Sequence, residues 1–195
     1  MKKLLPIVAV LLFVGCSTSH HKIKTPKIGT SMQNPKSINT LASNEQRFFI
    51  NYINQIRAKG AVCSPATTPL NYNSFLEKAA FEHSKDMALN SKLTHNGSGT
   101  NSDIARKMPG VGSNFFERIL FFGYPAKTYD LVGEDITHIK NIKDKRESFK
   151  KAIEMFLSEP IHCKILMKPR FKDVGVGYYT TKDGYYWTVD FGETK

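Results

Sequence analysis

The chain alternates between stretches of helical period and stretches of strand period. Phe48, Phe49, Tyr52, Ile53 and Ile56 recur at three- and four-residue intervals, the spacing that lines one face of an α-helix. Ser43 followed by Gln46 has the form of a capping box, so the pattern predicts a helix over 44–59, stopped at Lys59-Gly60. A loop with Cys63, Pro65 and Pro69 leads to a second stripe within 73–91, made of Phe75, Leu76, Ala79, Ala80, His83, Met87 and Ala88. Shorter helices are expected around 101–108 and over 114–122, the latter capped by Ser113 and stopped by Gly123. Phe149, Ala152, Ile153 and Phe156 mark another over 145–158.

Strand period follows. Residues 133–139 alternate enough for a short strand with Glu134 at its start. Val174, Val176 and Tyr178, then Tyr186, Trp187, Val189 and Phe191, alternate on either side of an Asp183-Gly184 turn, which predicts an antiparallel pair. Helices first and a small antiparallel sheet last make the class α+β. Residues 156–192 gather the most chemistry. Pro160 can open a helical turn there, so Glu159 and His162, three residues apart, can face the same way with the hairpin behind them.

The first residues stand apart. Met1-Lys2-Lys3 is basic, Leu4 to Val14 is apolar and Gly15-Cys16 follows, the layout of an export leader. The apolar run is shorter than the roughly 20 residues that span a bilayer, so residues 1–15 read as a cleaved signal peptide. Phe13-Val14-Gly15-Cys16 resembles a bacterial lipobox, with Phe13 where Leu is more usual. An ordinary secretory signal ending near a Cys is the alternative. Lipid modification of Cys16 would hold the protein on a membrane, the outer membrane if the host is Gram-negative. Residues 16–43 then read as a flexible tether, and 44–195 as the folded domain.

Formal net charge is +11, and +9 once Lys2 and Lys3 leave with the leader. That balance suits anionic partners such as lipid headgroups, lipopolysaccharide or wall polymers, with plain solubility as the competing explanation. Export removes nucleic acid as a partner. Two cysteines remain, Cys63 and Cys163, and an even pair in an exported chain suggests one disulfide. Two buried thiols are the alternative. A Cys163–His162 metal or nucleophile pair is a third reading, opposed by the roughly 100° between successive helical residues. His95 lies in a Gly/Ser/Asn loop, where binding residues concentrate. His83 reads as a core histidine satisfied by a hydrogen bond, and no metal role is expected of His20 and His21 in the tether.

Five pieces occur in a fixed order: LEKAAFEHSKDMA (76–88), THNGSG (94–99), GYPAKTYDLVGEDI (123–136), FLSEPIHCKILMKPRFKDVGVG (156–177) and YYWTVDFG (185–192). Together, over 44–192, they resemble the CAP superfamily in its bacterial form, also called the SCP or cysteine-rich secretory/pathogenesis-related-1 domain. The resemblance implies an α-β-α sandwich with a short antiparallel sheet between helices, and a cleft holding two His and two acidic residues. His95 matches the first His, His162 the second, and Glu134 the Glu of the Gly-Glu-Asn-Ile/Leu motif. Glu159 falls where eukaryotic members place the acid of Trp-x-x-Glu, although many bacterial members read Trp-x-x-Ser-Pro-Gly-His. Asp135 replaces the usual Asn, which is expected to raise the Glu134 pKa or favour a cation. Phe156 replaces a Trp, a packing change. Relatives with a Cys directly after the second His tend to carry one before the second helix, which also implies a Cys63–Cys163 bond.

Two imidazoles can bind Zn²⁺ or another divalent cation and leave positions open to water. His-Glu-x-x-His is absent, so a cation on His95 and His162 is implied by the resemblance alone. Three functions compete. The leading one is a binding module that takes up a lipid, sterol or wall fragment. The second is a metal-dependent hydrolase, a peptidase among the candidates, with Glu134 or Glu159 as general base. Without metal, two carboxylates about 5–9.5 Å apart could do glycosidase work. The third is a surface protein that contacts host or envelope proteins and uses the four residues structurally.

Overall fold

The computed structural model describes residues 43–193; the leader, Cys16, His20, His21 and the tether lie outside the described residues. In chain order come α1 (Ser43–Lys59), β1 (Asn71–Tyr72), α2 (Ser74–Leu89), α3 (Phe115–Phe121), β2 (Val132–Lys140), α4 (Lys145–Ser158), α5 (Pro160–Leu166), β3 (Asp173–Thr181) and β4 (Gly184–Gly192). The sheet runs β1-β3-β4-β2, which leaves β2 at an edge. β4 is antiparallel to both neighbours, while β1 is parallel to β3.

Period 2 along the strands sorts the core into two layers. Trp187, Val189 and Phe191 point to one face with Val174 and Val176, where they meet Phe49 and Ile53 of α1, Phe149, Ile153 and Phe156 of α4, and Leu166 of α5. Trp187 Nε1 donates to Ser148 Oγ at 2.9 Å, so the one polar atom of this large buried ring is satisfied. The other face carries α2. A Cβ on Gly175 or Gly177 would lie 2.1 Å from the α2 backbone, so the helix rests directly on the sheet. Helices on both faces make the expected α-β-α sandwich, and β4 is buried along its whole length.

Two expectations change. No helix forms around 101–108. Asp103 is buried and accepts from Ser113 Oγ (2.6 Å), Ser113 N (2.8 Å) and Gly99 N (3.2 Å), which folds the segment into turns around its carboxylate. Ser113 is therefore engaged elsewhere, and the capping box of α3 is made by Asn114 and Glu117. The two-residue β1 is too short for any period to show.

Helix α5 has only seven residues and no side-chain N-cap, and it is fixed from outside. Cys163 is disulfide-bonded to Cys63, with Cα–Cα 6.1 Å, so neither the free-thiol nor the Cys/His reading holds. Arg57 of α1, fully buried, donates to Leu166 O (2.6 Å), Lys168 O (3.3 Å) and Thr68 O (2.9 Å). These ties hold the helix that carries His162.

Candidate functional site

Glu159 stands between α4 and α5 with φ −104° and ψ 121°. A residue before proline is pushed toward extended backbone, so α4 ends there, α5 restarts at Pro160, and His162 falls in its first turn. The turn after α2 supplies His95, α3 supplies Arg118 and the edge strand β2 supplies Glu134 and Asp135.

The four side chains singled out in the sequence come together in a row. His95 Nδ1 lies 2.9 Å from Glu134 Oε1. The His95 and His162 ring centroids are 6.2 Å apart. His162 Nδ1 lies 2.9 Å from Glu159 Oε2, at an angle that makes no hydrogen bond. Each imidazole thus has a carboxylate behind Nδ1, which leaves Nε2 as the nitrogen available to a ligand.

Arg118 is a member the sequence reading missed. Its Nη2 donates to Glu134 Oε2 at 2.7 Å and to His95 O at 2.8 Å, and its Nη1 donates to Ser113 O at 2.7 Å. The Arg118 side chain is 3% exposed, so the ion pair with Glu134 is buried. A charge inside the apolar stripe of Phe115, Phe116 and Ile119 was the sequence signal for it. His83 also reaches the site. Its Nε2 donates to Thr94 O at 2.9 Å, the hydrogen bond expected of a core histidine, and lies 3.8 Å from Glu134 Oε1, while its Nδ1 is buried with no hydrogen bond among the described residues. Burial pushes the His83 imidazole down to about 4, so it is neutral near pH 7.

Burial alone would raise the Glu134 carboxyl, but Arg118, then His83 and His95, outweigh it and hold it well below the usual range. The rise expected of Glu134 from Asp135 is therefore not what the site produces. Asp135 is buried with neither oxygen hydrogen-bonded among the described residues, and burial, then the Glu134 and Glu159 charges, push its own carboxyl well above normal. A carboxylate as acidic as Glu134, with both oxygens engaged, is a weak general base.

Beside the row opens a cleft of about 420 Å³ lined by His95 and Glu134 with Phe115, Tyr129, Asp130, Ile165 and Phe171. Lys168 Nζ sits 4.6 Å from the Phe171 ring centroid and donates to Asp130 O at 3.1 Å; it meets no carboxylate among the described residues. No group of three or more His, Cys, Asp or Glu side chains among the described residues forms a metal cage. The two imidazoles are the donor types of an open two-ligand site and would fit one once drawn closer together. Tetrahedral Zn²⁺ at about 2.0–2.1 Å from each nitrogen places ring centroids about 5 Å apart, roughly 1 Å closer than the 6.2 Å found here.

A model of the cysteine-rich secretory protein family, CAP, matches residues 50–191. The chain belongs to the CAP family. Comparison with curated proteins finds no match. Among solved structures, an outer surface protein of Borrelia burgdorferi is similar at 19% identity and TM-score 0.57, over 78% of this chain and 95% of that one. An extracellular SCP-domain protein of Bacillus anthracis is similar at 20% identity and TM-score 0.55, over 76% of this chain but only 40% of the longer protein. NaASP2, solved with Zn²⁺, is similar at 13% identity and TM-score 0.51, over 80% of this chain and 83% of that one. At these identities the likeness is one of fold.

Proposed function

We propose that this CAP-domain protein is exported and acts as a binding module. In this reading His95 and His162 take a divalent cation, Zn²⁺ first among them, and the adjoining cleft takes a ligand with an apolar body and an anionic group, such as a lipid or an envelope fragment. The observation that carries the reading is the pair of imidazoles, each with a carboxylate beside Nδ1, one of which, His95, lines an apolar cleft where Lys168 meets no acid among the described residues. The cation would draw the two Nε2 atoms together and supply positive charge for an anionic group. Glu134 orients His95 rather than accepting a proton, so binding is favoured over hydrolysis. A hydrolase would have to rely on Glu159, whose carboxylate is exposed beside His162. The leader-like Met1–Cys16 stretch, and the extracellular and outer-surface relatives of the same fold, support export; attachment through a lipid on Cys16 is part of the proposal.

Titration calorimetry of the purified protein with Zn²⁺ tests this, with His162→Ala as control. Micromolar or tighter binding that disappears in the variant is the expected result. Binding unchanged by the variant, or none in the wild type, would remove the metal.

A further inference from the structure

Asp190 lies on β4 directly opposite Glu134 of β2. Glu193 N donates to Leu131 O at 2.8 Å, which makes 131–193 a hydrogen-bonded pair of the antiparallel ladder. Counting along the register, 134–190 is then a non-hydrogen-bonded pair, the kind whose Cα atoms come to about 4.5 Å and whose side chains are closest. Both side chains point to the α2 face, and both residues are buried, Asp190 completely. Among the described residues no N–H or O–H reaches either Asp190 oxygen. On the far side β3 offers only Gly175, pressed against the α2 backbone. The ionisable groups around Asp190 are Glu134 and Asp135 of β2 and Arg118 of α3, with His83 of α2 beyond Glu134. The Arg118 Nη donors are placed on Glu134, His95 O and Ser113 O, and its Nε makes no hydrogen bond among the described residues, to Asp190 or to any other group.

Like charges directly opposite across a ladder are destabilising, and two carboxyl groups share a hydrogen bond only when one of them carries a proton. The Arg118 guanidinium sits with Glu134, so the proton belongs to its neighbour. We propose that Asp190 is a neutral acid whose O–H donates to the Glu134 carboxylate, making it a positioning residue that holds Glu134 against His95 and Arg118. Burial, then the Glu134 charge, push the Asp190 carboxyl in the same direction. Glu134 is then held by donors from α3, the His95 loop and β4, and the His95 proton is kept on Nδ1. The role of that tautomer in ligand binding rests on the function proposed above, but the hydrogen bond itself does not.

Carboxyl ¹³C NMR of the full chain, with no metal added, reads the proton directly. The Asp190 signal should stay at its protonated position at pH 7; a signal that titrates near pH 4 would overturn the proposal. Two variants follow the positioning. Asp190→Asn, a neutral donor of nearly the same shape, should keep the His95 Nδ1–H signal and match or exceed wild-type stability at pH 8. Asp190→Ala should broaden that signal, and Zn²⁺ binding, if present in the wild type, should weaken about 10-fold or more. If Asn proves as damaging as Ala, or lowers stability at pH 8, the idea fails. Absence of zinc binding would count against the proposed function and leave the carbon and nitrogen readouts intact.

Discussion

Replacing Arg118 by Met tests whether this guanidinium is what makes Glu134 a fixed anion. The substitution keeps a long apolar stem but removes the donors to Glu134 Oε2, His95 O and Ser113 O. Glu134 is left as a buried carboxylate without its cation, held by the hydrogen bond from His95 Nδ1 and the one proposed from Asp190. Removing one partner of a buried ion pair costs about 3–5 kcal/mol. At about 2–4 °C per kcal/mol for a domain of this size, the melting temperature should fall by about 6–20 °C. Urea unfolding at pH 7, followed by circular dichroism, gives the free energy. Adding Glu134→Gln to Arg118→Met removes the stranded charge, so the double-mutant cycle should show about 1–3 kcal/mol of coupling. A single-variant loss below about 1 kcal/mol, or strictly additive effects, would refute the claim that Arg118 neutralises Glu134.

Other outcomes follow from the same structure. Peptide mapping of unreduced protein should recover Cys63 linked to Cys163, and replacing both with Ala should cost about 4–5 kcal/mol for a loop closed over 100 residues. Gly177→Ala would place a Cβ 2.1 Å from Phe81 N, so α2 must lift and stability should fall by about 1–3 kcal/mol or more in urea unfolding. His83 has a folded pKa of about 4 against about 6.5 unfolded. The unfolded chain takes the proton first, so stability should fall as pH drops from about 6.5 to about 4. Stability curves of His83→Gln should be flatter in that window, and an unchanged slope would assign it to other groups.

Much of the architecture could be read from short-range pattern. Helix α4 ends where expected because Phe149, Ala152, Ile153 and Phe156 set its inner face and Pro160 forbids its continuation. The hairpin was legible for the same reason, its apolar residues falling on one face. What escaped was long-range. The 101–108 stretch has helix-compatible residues, but Asp103 gathers donors from Gly99 and Ser113, which no local period reveals. Asp135 and Asp190 occupy strand positions that a simple alternation assigns to solvent, yet helices cover both faces of the sheet. Arg118 sits among Phe and Ile because its partner, Glu134, arrives from a strand 16 residues away. Glu159 beside His162 was legible from their spacing, but joining them to His95 and Glu134 came only through the family resemblance, since nothing local brings His95 to His162.

Two imidazoles offering Nε2 to a shared cation are the centre of the proposed function, and ¹⁵N NMR of the histidine rings under Zn²⁺ titration observes those atoms. Before metal, His95 should carry its proton on Nδ1, where Glu134 accepts it. On addition of Zn²⁺ the Nε2 signals of both His95 and His162 should shift together and saturate at one equivalent, with His83 and His138 unaffected. A His95 proton on Nε2, or a titration that leaves either imidazole unmoved, would contradict a shared cation site.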